Sequence, residues 1–166
     1  MWYSLLGEYW RIGVLDLPID QVIQTEQLPS VHWLTPQRMS CFWADPFGLP
    51  GDAQRLTCEF FDERSGKGCI EVLHLDQTLE VVEHVRLDVG GGQHASFPNV
   101  FEFNGRRLGV AETCARRECV LHEVDAQGLW QPLFPLLHDI AVVDPVLFAW
   151  EGRLWLAFSD NDLGLH

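Results

Sequence analysis

Val143-Asp144-Pro145-Val146-Leu147-Phe148-Ala149-Trp150-Glu151-Gly152-Arg153-Leu154-Trp155-Leu156-Ala157-Phe158 reads as two short strands around a tight turn. Leu154, Leu156 and Phe158 fall on one face, with Trp155, Ala157 and Ser159 on the other. That is the period of two of a β-strand. Glu151-Gly152 supplies the turn, because glycine takes the positive φ that a two-residue hairpin demands. Pro145 sits at a strand start, where a missing N–H is tolerated.

The same module occurs twice upstream. Ser96-Phe97-Pro98-Asn99-Val100-Phe101 leads through Asn104-Gly105 to Leu108-Gly109-Val110-Ala111-Glu112. Ala44-Asp45-Pro46-Phe47 leads through a glycine-rich turn to Leu56-Thr57-Cys58-Glu59-Phe60. Pro46 and Pro98 are 52 residues apart, and Pro98 and Pro145 are 47 apart. A period of roughly 40–50 residues is that of β-propeller blades, each a four-stranded antiparallel sheet. The fold expected is all-β: a partial propeller of about three blades, with the ring not closed within the chain.

Each repeat extends further. Gly68 to Asp76 reads as a third strand of the first repeat, and Leu79 to Val89 as its fourth. Cys119 to Val124 is the third strand of the second repeat, and Trp130 to Leu133 leads its fourth. The expected single domain, 1–166, divides into a leading strand and short helix (1–40), blade 1 (41–90), blade 2 (91–138) and an incomplete blade 3 (139–166). The leading strand is Trp10 to Leu15, and Pro18 to Ile23 forms the helix with proline in its first turn. Three blades leave two uncovered faces. The expectation is therefore a fragment of a larger domain, or self-association through those faces.

Composition narrows the partners. A formal net charge of −13 repels phosphate backbones, so nucleic acid is not an expected partner. No apolar run approaches the ~18 residues of a membrane helix. The first eight residues, Met1 to Glu8, lack a basic region and an apolar core, and so do not read as a secretory signal. The five cysteines include no C-x-x-C pair, and reduced thiols fit a cytoplasmic protein. Cys114 and Cys119 stand close enough in sequence to meet across a hairpin.

Taken in order, Trp10 to Val14, Ala44-Asp45-Pro46-Phe47, the Glu59-to-Gly68 turn, His94-Ala95-Ser96-Phe97-Pro98, Ala111-Glu112 and Val143-Asp144-Pro145 resemble a known domain. It is the N-terminal propeller-like domain of plant glucosamine inositolphosphorylceramide transferases and their bacterial relatives. The resemblance spans about residues 10 to 162. It implies a domain accompanying a glycosyltransferase or formyltransferase module. The chain departs from the pattern at Ala111, where the family shows proline, and at Ala95, where it shows a bulkier residue. More distantly the repeats are similar to the five-bladed enzymes of glycoside hydrolase family 43, a likeness that implies a partial five-bladed propeller. That likeness implies Asp45 as general base and Asp144 as the carboxylate that tunes the acid, while the family's donor Glu has no match.

The residues themselves point the same way. Glycoside hydrolysis needs two carboxyl groups across the bond, one of them with a raised pKa. Asp45 and Asp144 begin equivalent strands, so a radial arrangement would turn both toward one cavity. Glu59 and Glu112 are equivalent at strand ends, and Glu112 could replace the missing donor. The candidate catalytic residues are Asp45, Glu112 and Asp144. The candidate substrate-binding residues are Trp43, for stacking, with Glu59 and His94. Each has a plainer reading: Asp before Pro starts turns, Glu59 and Glu112 could pair with Arg64 or Arg116, and His94 could be a satisfied loop histidine. No metal site or cofactor is expected, although a single axial ion near His94 is admitted. Two functions are carried forward: a glycan- or sugar-nucleotide-binding domain, and a glycosidase-like hydrolase. A truncated product without a function of its own is the third. The separation of Asp45, Glu112 and Asp144 discriminates the first two, ~5 Å for retention and ~6.5–9.5 Å for inversion.

Overall fold

The computed structural model describes residues 9–15, 17–25, 29–36 and 40–163. The signal-peptide reading of Met1 to Glu8 lies outside the described residues. The chain is all-β, and its sheets are antiparallel and open. β1 (Ile12–Val14) pairs with β2 (His32–Leu34), and the one-turn helix α1 (Ile19–Val22) lies between them. β3 (Cys41–Leu49), β4 (Asp52–Asp62), β5 (Lys67–Leu75) and β6 (Val81–Leu87) form a four-stranded meander. β7 (Ser96–Phe103), β8 (Arg106–Glu112), β9 (Glu118–Val124) and β10 (Trp130–His138) form a second. β11 (Val142–Trp150) and β12 (Arg153–Asp160) make a two-stranded sheet.

The hairpin turns follow from residue type. Asn104 and Gly105 stand at φ 51° and 73°, and Glu151 and Gly152 at 49° and 73°. Two successive positive-φ residues match the right-handed twist of the flanking strands. The fourth strand of the first sheet starts later than the sequence suggests. Leu79 lies in a turn at φ 65°, and Asp76 Oδ1 accepts the N–H groups of Thr78 and Glu80 there.

Three apolar layers hold the sheets together. Leu49 and Ile70 of the first sheet meet Val100, Ala111 and Trp130 of the second. Leu108, Val110 and Leu121 of the second meet Val142 and Leu147 of β11. Ile12 and Leu34 cover the far face of the first sheet over Trp43, Cys58 and Leu73. The second sheet is thus buried on both faces, which is why Leu108 and Val110 pack one way and Ala111 the other. The leading strands converge: β3 lies against β7, and β7 against β11. All five cysteines are free, so Cys114 and Cys119 form no disulfide. Among the described residues no helix is long and apolar enough to cross a membrane.

Candidate functional site

The three leading strands share one irregularity. Asp45, Phe97 and Asp144 each precede a proline and stand at φ 49°, 47° and 49°. The pairing register slips there in each of their three sheets, between Ala44 and Phe47, Ser96 and Asn99, and Val143 and Val146. Each is a β-bulge, one extra residue that re-aims its neighbours. A non-glycine residue at positive φ costs on the order of 1–3 kcal/mol and persists only where its surroundings fix it.

Carboxylates of one sheet fix the next. The Asp144 N–H donates to Glu112 Oε2 at 3.2 Å. At the equivalent bulge the Phe97 N–H stabilises the charge of the Asp45 carboxylate. Further bonds tie the sheets nearby. Thr57 Oγ1 donates to the Pro98 carbonyl at 3.1 Å, and the Leu147 N–H to Asn99 Oδ1 at 2.8 Å.

Glu59 and Glu112 occupy the same place in their sheets, opposite Ala44 and Ser96. Burial pushes Glu59 up to about 7, and the charges of Asp45 and then Glu112 push the same way. Burial also raises Asp45; the Phe97 N–H opposes it, Asp144 adds to it and His94 opposes it. Burial raises Glu112 as well; the Asp144 N–H opposes, Asp144 and Asp45 add, and the Ser96 hydroxyl opposes. Burial lowers His94, against the pull of Asp45. Asp45, Glu59, His94, Glu112 and Asp144 thus form one electrostatic group drawn from three sheets.

His94 is oriented by the backbone: the Gly68 N–H donates to its Nδ1 at 2.8 Å. Its Nε2 stands 3.8 Å from Glu59 Oε1. The arginine pairings suggested by the sequence do not form among the described residues. Arg116 binds Glu118 and the Val89 carbonyl, and Glu59 and Glu112 have no ion pair with Arg or Lys.

Trp43 stands apart from this group, a correction to its reading as a stacking platform there. It is 5% exposed in the core layer beneath Ile12 and Leu34. Its indole N–H donates to Glu71 Oε2 at 3.0 Å. Glu71, fully buried, also binds Arg86 at 3.1 Å and faces His84 at 3.4 Å. This network went unread in the sequence; its one signal is a charged residue inside the apolar run Ile70 to Leu75. Trp43, Phe60, His84 and Arg86 line a cleft of about 520 Å³ that does not contain the carboxylate group. Ser96 and Gly68, which touch Glu112 and His94, were also not singled out as site residues. Among the described residues no three His, Cys, Asp or Glu side chains gather closely enough to hold a metal ion.

Chemically, the group offers carboxylate acceptors, carboxyls of raised proton affinity and a neutral imidazole at a sheet-to-sheet junction. Comparison with protein-family models, with curated proteins and with solved structures found no match.

Proposed function

We propose that the chain is a run of β-propeller blades that binds a carbohydrate at Asp45, Glu59, Glu112 and Asp144. The radial arrangement is supported by order and packing. The sheets follow one another along the chain, and each turns its first strand toward the first strand of its neighbour. The observation that carries the ligand reading is the mutual perturbation of carboxyls from different sheets. Asp45, Glu59 and Glu112 each feel the charge of another member. Carboxylates accept hydrogen bonds from hydroxyls, and a negative field disfavours anions, so a neutral polyhydroxylated ligand suits the site. A glycan, or the sugar end of a sugar nucleotide, has that chemistry. An accessory role beside a transferase module rests on the family resemblance alone. Five free thiols agree with a reducing, cytoplasmic setting.

One observation favours hydrolysis as the second reading: a carboxyl held up to about 7 beside a second carboxyl. Environments that push two carboxyls apart assign an acid and a base. Water would then add across the glycosidic bond. Its oxygen joins the anomeric carbon, its proton passes to Asp45, and the acid's proton passes to the leaving oxygen.

The test is NMR titration of the full chain with a panel of monosaccharides and methyl glycosides, together with incubation with nitrophenyl glycosides. Binding is expected, weakened about tenfold or more by Asp45→Asn and by Glu112→Gln. Nitrophenol release that these substitutions abolish adds the hydrolytic reading, and binding without release removes it. No shift with any sugar, or binding indifferent to both substitutions, overturns the proposal.

A further inference from the structure

Glu59 differs from the other acids of the group. It is 7% exposed, and its Oε1 is sealed from solvent with no hydrogen-bond partner. The groups facing it are Asp45 from β3, Glu112 from β8, His94 from the segment before β7, and the thiols of Cys58 and Cys69. Burial holds both thiols protonated. None of these neighbours is a fixed cation. A buried carboxylate without a donor or a cation loses its hydration and regains nothing, so the neutral acid is favoured.

The backbone holds the neighbouring histidine in one tautomer. Because the Gly68 N–H donates to Nδ1, that nitrogen bears a lone pair and the neutral ring carries its hydrogen on Nε2. Nε2–H therefore stands 3.8 Å from Oε1, too far for a direct hydrogen bond. Gly68 comes so close that a Cβ built on it would lie 1.9 Å from Oε1 and 2.9 Å from the Ala95 carbonyl oxygen, so only glycine leaves room for the carboxyl there.

We propose that Glu59 keeps its proton into the neutral pH range and in that form is the hydrogen-bond donor of an otherwise carboxylate-lined site. Gly68 and His94 act as positioning residues. This rests on the carboxylate group being the ligand site, and it sharpens the ligand. The site takes a molecule that presents an uncharged acceptor oxygen, such as a ring or glycosidic oxygen, to Glu59. The same molecule presents hydroxyl donors to Asp45 and Glu112.

The experiment is carbon-detected NMR of the full chain labelled at glutamate side-chain carboxyls, titrated from acid to alkaline pH. One glutamate is expected to titrate near 7 and to vanish in Glu59→Gln. The imidazole nitrogens of unsubstituted protein are expected to report the Nε2–H tautomer of His94, a readout that survives if the variant does not fold. A Glu59 midpoint in the ordinary glutamate range, or an Nδ1–H tautomer, overturns the assignment. Methyl glycosides are then added. Binding should weaken as pH rises through 7 in the native chain and lose that dependence in Glu59→Gln. A Glu59 midpoint near 7 with no glycoside bound at any pH leaves the proton assignment standing and removes the carbohydrate reading.

Discussion

A single carboxyl sets how this protein responds to pH. Glu59 is raised from an ordinary 4.5 to about 7, so between those values the folded chain holds a proton that the unfolded chain has released. Stability therefore falls as pH rises through that window, because the state binding more protons is favoured by acid. The full difference is roughly 3 kcal/mol. Asp45 and Glu112, also raised, add the same sign. His94 is lowered and contributes the opposite slope as pH falls through its ordinary range. Urea unfolding at pH 5 and pH 8 should show the loss, and Glu59→Gln should flatten most of it. An unchanged slope in the variant would mean that Glu59 is already ionised in the fold. The candidate acids drew attention because an X-Pro pair and a glutamate recur at the period of the repeat, although Glu59 lies inside β4 and not at its end. Trp43 was misread for a reason that also lies in the residues. Plain alternation puts Trp43 and Asp45 on one face, but the bulge at Asp45-Pro46 breaks that alternation. Ala44 and Glu59 then face the second sheet, while Trp43 and Phe60 face the first pair of strands.

At the scale of the element, hairpins were the easiest feature to read, because Asn104-Gly105 and Glu151-Gly152 carry their backbone geometry in residue type. β2 was not foreseen. It is three residues long, and its partner β1 lies across a helix, so no local pattern marks it. β10 runs on to His138 through Pro132 and Pro135, and its register slips near both. Bulges let a strand absorb residues that cannot donate to the ladder. The junctions between sheets depend on side chains replacing such lost backbone partners. Asn99 is the clearest, since its Oδ1 is the acceptor for the buried Leu147 N–H. Asn99→Ala should cost about 1–3 kcal/mol, the penalty of leaving that donor unpaired. Urea unfolding monitored by tryptophan fluorescence would measure it. A change below about 0.5 kcal/mol would mean that the β7–β11 junction does not depend on the bond.

For the molecule as a whole, the layering leaves the β11–β12 sheet covered on a single side. Leu154 and Leu156 of β12 pack inward on the second sheet. The opposite face of β11 and β12 presents Phe148, Trp150 and Trp155, with Trp150 60% exposed. Phe148 and Trp155 stack across the hairpin at 6.5 Å, and the Trp155 indole N–H is bound to the Trp150 carbonyl, so the ridge is ordered. Contiguous exposed aromatic surface favours association, and the net charge of −13 opposes it. The two terms respond differently to salt. Screening weakens the long-range repulsion, with a Debye length near 10 Å at 0.1 M and ~3 Å at 1 M, and leaves the apolar contact intact. Sedimentation velocity should therefore show a concentration-dependent increase in mass that grows with sodium chloride. Trp150→Ser with Trp155→Ser should abolish it at little cost to folding, because both side chains face solvent. Association that weakens with salt would assign the contact to charged groups, and a monomer under all conditions would show that the ridge is too small to hold two copies together.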